Sequence, residues 1–507
     1  MKSKLASDQE IEEVSTIIDK TEWYRQATAS KLMFIGTPSL GVCDFTTYPT
    51  IYCFSKEFEG YYDLHGFNSD ARELVKKSKN DPAVAQNIYL QFQQFYKKIK
   101  KDFNKSAEIN FQTAPLSKIA AINQELDELN YIFWKEFFQG DVFDPEGDLI
   151  LKEELKEYSP GQLEINDLIR PQKLNFIEES NLELSQIALK VLHNPNISEA
   201  ERIKLLAPFA QKYFFIQNSW GMVLVLTAKD FLSPLKEIVS QGEERVVEMI
   251  RHYQNLEQNT KNKVEDITQK YAFSSEAVNI INLYRMIATI RDERKELVLL
   301  FNQFMEEICK RYAAEFGVKL SIVERALPFE LTNIKNKEDM NLLKVQLEKR
   351  NAAIIARLSE KSGGESNNNN NNKSHKNVII FGEKAQKYIN QIHKKLTSKF
   401  ESLQGRVACR GKSKVRGKVK IILGETHFTK FQEGDILVAP MTRPEYIPLM
   451  KKAKGIITDE GGITCHAAIA SRELNVPCII GTSVATKKLF DNREIEMDME
   501  TGKVTLL

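Results

Sequence analysis

The run Gly455-Ile456-Ile457-Thr458-Asp459-Glu460-Gly461-Gly462-Ile463-Thr464-Cys465-His466-Ala467-Ala468-Ile469-Ala470-Ser471-Arg472-Glu473-Leu474 decides how the end of this chain is read. Gly455 to Thr458 has the β-branched character of a short strand. Gly461-Gly462 is a flexible corner, and the alanine-rich run after it has the composition of a helix. His466 falls in the first turn of that helix. Backbone N–H groups left unpaired at a helix start, with the positive end of the helix dipole, stabilise an anion there. A histidine so placed can carry a phosphoryl group whose oxygens point into waiting donors. Gly461 and Gly462 let the backbone approach closely, and Thr464 or Cys465 can cap the helix.

The segments on either side extend the pattern. Gly434-Asp435-Ile436-Leu437-Val438-Ala439 and Thr442-Arg443-Pro444-Glu445 form a strand and a following turn. Asn475-Val476-Pro477-Cys478-Ile479-Ile480-Gly481-Thr482 and Asp498-Met499-Glu500-Thr501-Gly502-Lys503-Val504 supply a further strand and a closing hairpin. Together these stretches closely resemble the phosphohistidine, or swivelling, domain of the phosphoenolpyruvate-utilising enzymes. Pyruvate phosphate dikinase, phosphoenolpyruvate synthase, enzyme I of the sugar phosphotransferase system and rifampin phosphotransferase carry that domain. The resemblance implies that His466 is the phosphohistidine and that Gly461, Gly462, Thr464 and Cys465 surround its phosphate. Asn475 and Asn492 stand where the family usually has glycine, and asparagine tolerates the left-handed turn that glycine would make. A lone histidine beside a tight turn is more often a helix cap or a packed core residue; the flanking sequence is what sets His466 apart.

With 507 residues the chain is expected to fold as two or three domains. A net charge of +2, with charged residues of both signs at 28%, describes solvated helix faces and makes no general case for nucleic-acid binding. Six cysteines, Cys43, Cys53, Cys309, Cys409, Cys465 and Cys478, lack C-x-x-C spacing. No metal site and no disulfide framework is suggested, and a reducing cytoplasm is the expected location. The N-terminus has no apolar signal-peptide core, and the longest apolar run, Trp220 to Ala228, is too short to span a membrane.

Before the C-terminal stretch the pattern is mainly helical. Ala71 to Lys105, Ser117 to Phe138, Leu235 to Phe273 and Ala277 to Phe316 alternate apolar and charged residues at helical spacing. The first seventy residues are irregular, with short strands expected at Lys31–Gly36 and Thr50–Phe54. A low-complexity tract, Ser362-Gly363-Gly364-Glu365-Ser366 followed by asparagines from Asn367 to Asn372, reads as a flexible loop or linker. The expected organisation is a mainly helical domain over 1–358, a linker over 359–377, a strand and connecting helix over 378–404, and the swivelling domain over 405–507. The fold class is therefore multidomain: a large, mainly α-helical N-terminal domain plus a C-terminal α/β swivelling phosphohistidine domain.

A second resemblance touches the helical region. Arg291-Asp292-Glu293-Arg294-Lys295-Glu296, Phe316-Gly317-Val318-Lys319-Leu320 and Pro328-Phe329-Glu330-Leu331-Thr332 are similar to the substrate-binding region of rifampin phosphotransferase-like proteins. That similarity implies a substrate role for Arg291 and Arg294; the alternative is a solvated helix face. Arg472 lies six residues beyond His466, about 240° around a helix. It is a candidate for phosphate contact or for a domain interface, as are Arg443 and Glu445. Cys465 reads as a small capping residue rather than a nucleophile.

A carrier needs one site that charges it and one that discharges it. The sequence before residue 360 has neither a Gly-x-x-x-x-Gly-Lys-(Ser/Thr) loop nor the Gly-Gly-Lys opening of the family's ATP-grasp domain. The chain ends at Leu507, where relatives with a phosphoenolpyruvate barrel continue. The expectation is a phosphotransferase subunit with no cofactor assigned to this chain. A separate ATP-grasp protein, holding ATP and Mg, would phosphorylate His466, and the helical domain would bind a small-molecule acceptor. A phosphoenolpyruvate- or pyruvate-handling component and a non-catalytic phosphocarrier are the alternatives. The swivel hinge is expected near Gln404-Gly405.

Overall fold

A computed structural model describes residues 4–5, 7–28, 39–40, 48–54, 58–107, 109–171, 173–218, 223–359, 375–398, 403–411, 413–443, 446–461 and 465–507. The strand expected at Lys31–Gly36, the asparagine tract, and Gly462, Thr464 and Glu445 lie outside the described residues. The chain divides into two compact units: Met1–Arg72 with Pro115–Ile150 and Cys309–Leu507, and Glu73–Ala114 with Leu151–Ile308.

The second unit is helical. Asn175 opens helix Phe176–Leu192 by accepting from Ile177 N and Glu178 N, and Ser198 opens Glu199–Tyr213 with Glu201 closing a capping box. These two helices, with Leu232–Val239 and Glu243–Tyr271, bury Leu184, Ala188, Leu206, Phe209, Tyr213, Leu235, Val246 and Ile250 together. Two of the long helical patterns are broken. Between Leu64–Asn80 and Ala83–Ala107 the chain passes Asp81-Pro82, where proline disfavours a helical residue before it and Asp81 Oδ1 accepts from Ala83 N at 2.9 Å. Gly242, at φ +85°, parts Leu232–Val239 from Glu243–Tyr271. Hydrophobic periodicity alone runs across both breaks. Helix Ser275–Phe316 is unbroken. Among the described residues no helix is long and apolar enough to cross a membrane.

The first unit holds two sheets. One has six strands: β1 (Lys4–Leu5), β2 (Trp23–Thr28), β3 (Thr50–Phe54), β4 (Phe58–Asp63), β5 (Ala353–Ser359) and β6 (His375–Phe381), in the order β1-β6-β5-β3-β4-β2. Ile51 and Cys53 pair with Ala356 and Ile354, which pair in turn with Val378 and Ile380. Period-two alternation puts these six side chains on one face. Val14 and Ile18 of helix Asp8–Lys20 and Ala385, Ile389 and Ile392 of helix Gly382–Ser398 belong to the same buried cluster. The strand at 378 is thus an inner member of a sheet whose other strands come from the first 63 residues and from 353–359.

The other sheet has eight strands: β7 (Leu403–Gln404), β8 (Arg406–Cys409), β9 (Lys414–Ile421), β10 (Ile436–Ala439), β11 (Gly455–Thr458), β12 (Cys478–Ile480), β13 (Glu494–Asp498) and β14 (Lys503–Leu506). Strands β9, β10, β11 and β12 run parallel, and β8, β13, β14 and β7 pair antiparallel outside them. Both faces of β10, β11 and β12 are buried, which explains their nearly continuous apolar sequence, whereas β9 alternates buried and exposed residues. Leu437, Ala439 and Ile456 face Met450 and the helix His466–Glu473, whereas Ile436, Val438 and Ile457 face the larger cluster.

Gln404 and Gly405, where the hinge is expected, lie within this sheet. Leu403 and Gln404 pair with Val504 and Lys503, and Gly405 N donates to Gly502 O at 2.9 Å. A Cβ at Gly405 would stand 2.5 Å from Ile480 O, so this residue is gripped inside the sheet. The domain's sheet begins two residues before the boundary at 405.

Candidate functional site

Strands β10 and β11 lie side by side and parallel, so the loops leaving their C-terminal ends emerge together, where open parallel sheets place their ligands. The loop after β10 carries Thr442 and the loop after β11 leads to His466. Thr442 Oγ1 and His466 Nδ1 are 2.9 Å apart. His466 is the first residue of helix His466–Glu473, and Cys465 (φ −70°, ψ 161°) takes the extended N-cap conformation. The anion-stabilising helix start and the histidine therefore coincide.

The base of the loop is tied down residue by residue. Asp459 N donates to Ala439 O and Glu460 N to Pro440 O, which joins the ends of β10 and β11. Thr458 Oγ1 donates to Glu460 O at 2.6 Å, and both Thr482 N and its Oγ1 donate to Thr458 O. Gly461 has φ +112°, and a Cβ there would lie 2.6 Å from Cys465 Sγ; the position accepts only glycine. Burial pushes the Cys465 thiol up to about 11, so it stays protonated at neutral pH and is a poor nucleophile. Asn475 and Asn492 adopt φ +53° and +67°, the left-handed conformation expected of residues standing for glycine.

The remaining candidates are dispersed. Arg472 Nε donates to Ala408 O at 3.2 Å, within the domain and on β8. Arg443 is half-buried, with its Nη2 3.7 Å from Met441 Sδ. Arg291 and Arg294 are half-buried on helix Ser275–Phe316, in the second unit. The Pro328–Thr332 motif forms a short helix that is built into the first unit. Glu330 receives both terminal nitrogens of Arg350 at 2.5 and 2.7 Å, and Asn123 Nδ2 donates to Pro328 O and Thr332 Oγ1.

Sequence reasoning missed two groups. Thr442 lies in a quoted motif, but its partnership with His466 spans 24 positions. The second group is a buried ion network under the loop. Asp459 accepts from Thr486 N and Oγ1 and receives Arg25 Nη1 at 2.7 Å, although Arg25 lies 434 positions away on β2. Arg25 also pairs with Glu59, which is shared with His393 and Lys487. Burial opposes the ionisation of Glu59, but Arg25, His393 and Lys487 hold its carboxyl well below the usual carboxylate range.

The comparison with known proteins covers this part of the chain. Residues 431–502 match the family described as PEP-utilising enzyme, mobile domain, and the site lies inside that match. The chain is 57% identical over 88 residues to a probable phosphoenolpyruvate synthase of Archaeoglobus fulgidus, covering 17% of this chain and 12% of that protein. It is 50% identical over 88 residues to the phosphoenolpyruvate synthase of Pyrococcus furiosus, covering 17% and 11%. An uncharacterized phosphotransferase of Bacillus subtilis, YvkC, is 46% identical over 91 residues, covering 18% and 11%. The chain thus spans only 11–12% of the length of these relatives, all of it in the C-terminal domain.

Proposed function

We propose that the chain is a phosphotransferase component of the phosphoenolpyruvate-utilising type that relays a phosphoryl group through His466. The observation that carries this reading is the Thr442–His466 contact at a helix N-terminus. With its proton on Nδ1, donated to Thr442 Oγ1, the ring keeps its lone pair on Nε2. Neutral imidazole, with an ordinary pKa of about 6.5, is abundant at neutral pH. In the first half-reaction the Nε2–P bond forms as the donor's P–O bond breaks and the donor oxygen leaves. In the second, an acceptor oxygen attacks phosphorus and the P–Nε2 bond breaks. Nδ1 holds its proton throughout, so the ring departs as neutral imidazole. Covalent catalysis of this kind divides one transfer into two easier ones, with the protein positioning groups and stabilising the phosphoryl oxygens.

The donor in this reading is ATP with Mg, held by a separate ATP-grasp protein, and the acceptor is a small molecule bound by the helical part, with Arg291 and Arg294 as candidate contacts. A second reading takes phosphoenolpyruvate as the phosphoryl partner of His466; the names of the matched relatives favour it. Incubation of wild type and His466→Ala with phosphoenolpyruvate, or with ATP and a candidate ATP-grasp protein, followed by intact-mass measurement, tests both. Acid-labile phosphate on wild type alone is expected. Equal labelling of the variant would refute the relay.

A further inference from the structure

Among the described residues, three ion pairs join the C-terminal domain to the rest of the first unit. Arg25 of β2 reaches Asp459 at 2.7 Å, and Glu59 of β4 receives Lys487 at 3.3 Å. Asp148, in helix Gly147–Glu154, stands 3.8 Å from Arg406 of β8. The first is buried, and in the second Glu59 is buried while the Lys487 side chain is 19% exposed; helix Gly382–Ser398 packs on helix Ala485–Lys488 beside them. The third differs. It is looser, and its side chains are 37% (Arg406) and 15% (Asp148) exposed.

This loose pair lies against the loop that leads to His466. A Cβ placed on Gly481 would have Gly461 O at 3.2 Å on one side and Arg406 Nε and Nη2 at 3.9 Å on the other. Asp148 and Arg406 are both among the charges felt at the Cys465 thiol, one residue from His466. A phosphoryl group on Nε2 would carry up to two negative charges on its oxygens, one net with the ring that keeps its Nδ1 proton, near a carboxylate and a guanidinium that stand 3.8 Å apart. Guanidinium binds phosphate through planar, charge-assisted hydrogen bonds, which are stronger and better directed than a carboxylate contact at 3.8 Å.

Building on the relay through His466, we propose that Arg406 is a switch: it holds Asp148 while the carrier is unphosphorylated and docked on the six-stranded sheet, and turns to the phosphoryl group once His466 is phosphorylated. Asp148 is then left facing the phosphoryl oxygens. The loss of one ion pair and the new repulsion both weaken docking, so the charged carrier is the one released to travel. The docked arrangement is the resting position of the uncharged domain.

Lys487 provides the readout. Its amine, 19% exposed and paired with Glu59 at the seam, becomes more reactive on undocking, so the change in its rate of reductive methylation, relative to exposed Lys503, follows the docking equilibrium. The full chain is phosphorylated chemically with phosphoramidate, in which the P–N bond breaks as Nε2–P forms and ammonia leaves. Peptide mapping verifies the site. Phosphorylation of His466 is expected to speed Lys487 methylation by about tenfold or more, the effect of one like-charge contact in a partly screened setting. In Arg406→Gln the unphosphorylated rate is expected to be raised and the phosphorylation-dependent change to fall below about twofold. An unchanged Lys487 rate in wild type phosphorylated on His466 would overturn the switch while leaving the relay intact. Should phosphoramidate fail to modify His466, the relay reading is the one that suffers. His466→Glu then tests the switch on its own: faster methylation supports it and an unchanged rate overturns it.

Discussion

Replacing Thr442 with valine removes one hydroxyl and little else, because the two side chains have nearly the same shape and Thr442 is buried. What disappears is the 2.9 Å contact to His466 Nδ1. Before phosphorylation that contact is a neutral hydrogen bond. As phosphorus bonds to Nε2 the ring gains positive charge and the same contact becomes charge-assisted, worth about 1.5–3 kcal/mol. The variant loses the neutral bond of the resting state too, so only the gain on charging, about 1–1.5 kcal/mol, enters the rate, and the expected slowing of His466 phosphorylation is about 5- to 13-fold. Thr442→Ser, which keeps the oxygen, should stay within about threefold of wild type, the effect of a few tenths of a kcal/mol in positioning. Quenched time courses of labelling by phosphoramidate, read by intact mass, give both rates without knowledge of the natural donor. Near-ultraviolet circular dichroism checks that the fold is kept. If Thr442→Val is phosphorylated at the wild-type rate, Thr442 does not hold the ring in its reactive tautomer.

Three further outcomes follow from the same geometry. Gly461→Ala, which forces a Cβ to 2.6 Å from Cys465 Sγ at φ +112°, should destabilise the C-terminal domain by about 1–3 kcal/mol in urea unfolding and abolish labelling; stability and labelling equal to wild type would show that the corner relaxes freely. Asp459→Asn leaves Arg25 buried with one counter-charge fewer and should cost about 3 kcal/mol in the same unfolding assay, near the low end for a broken buried pair because asparagine still bonds Thr486. Cys465, with its thiol pushed up to about 11, should be alkylated slowly at pH 8 and faster as pH rises toward that value, and Cys465→Ser should be phosphorylated normally; rapid alkylation at pH 7 would contradict the buried environment.

Local features of the C-terminal domain could be read from its residues. The helix start at His466, the capping conformation of Cys465 and the left-handed turns at Asn475 and Asn492 depend on a few neighbouring side chains, and the structure has each of them. Features that depend on distant segments were hidden. The six-stranded sheet joins strands from the first 63 residues to strands at 353–381, and nothing in the sequence of Ala353–Ser359 names Thr50–Phe54 as its neighbour. Arg25 sits on a short strand whose sequence, Trp23–Thr28, gives no hint that its guanidinium closes the base of a loop 434 positions away. The close packing of Gly405 is hidden for a related reason: it depends on the carbonyls of Ile480 and Gly502, which lie far along the chain.

The central claim is that His466 accepts a phosphoryl group on Nε2 while Nδ1 keeps its proton toward Thr442. Nitrogen-15 and phosphorus-31 correlation spectra of the phosphorylated, ring-labelled protein address it directly. The account predicts one phosphohistidine, lost in His466→Ala, with phosphorus coupled to Nε2 and a proton on Nδ1. Phosphorus coupled to Nδ1, or a signal that persists in His466→Ala, would contradict it.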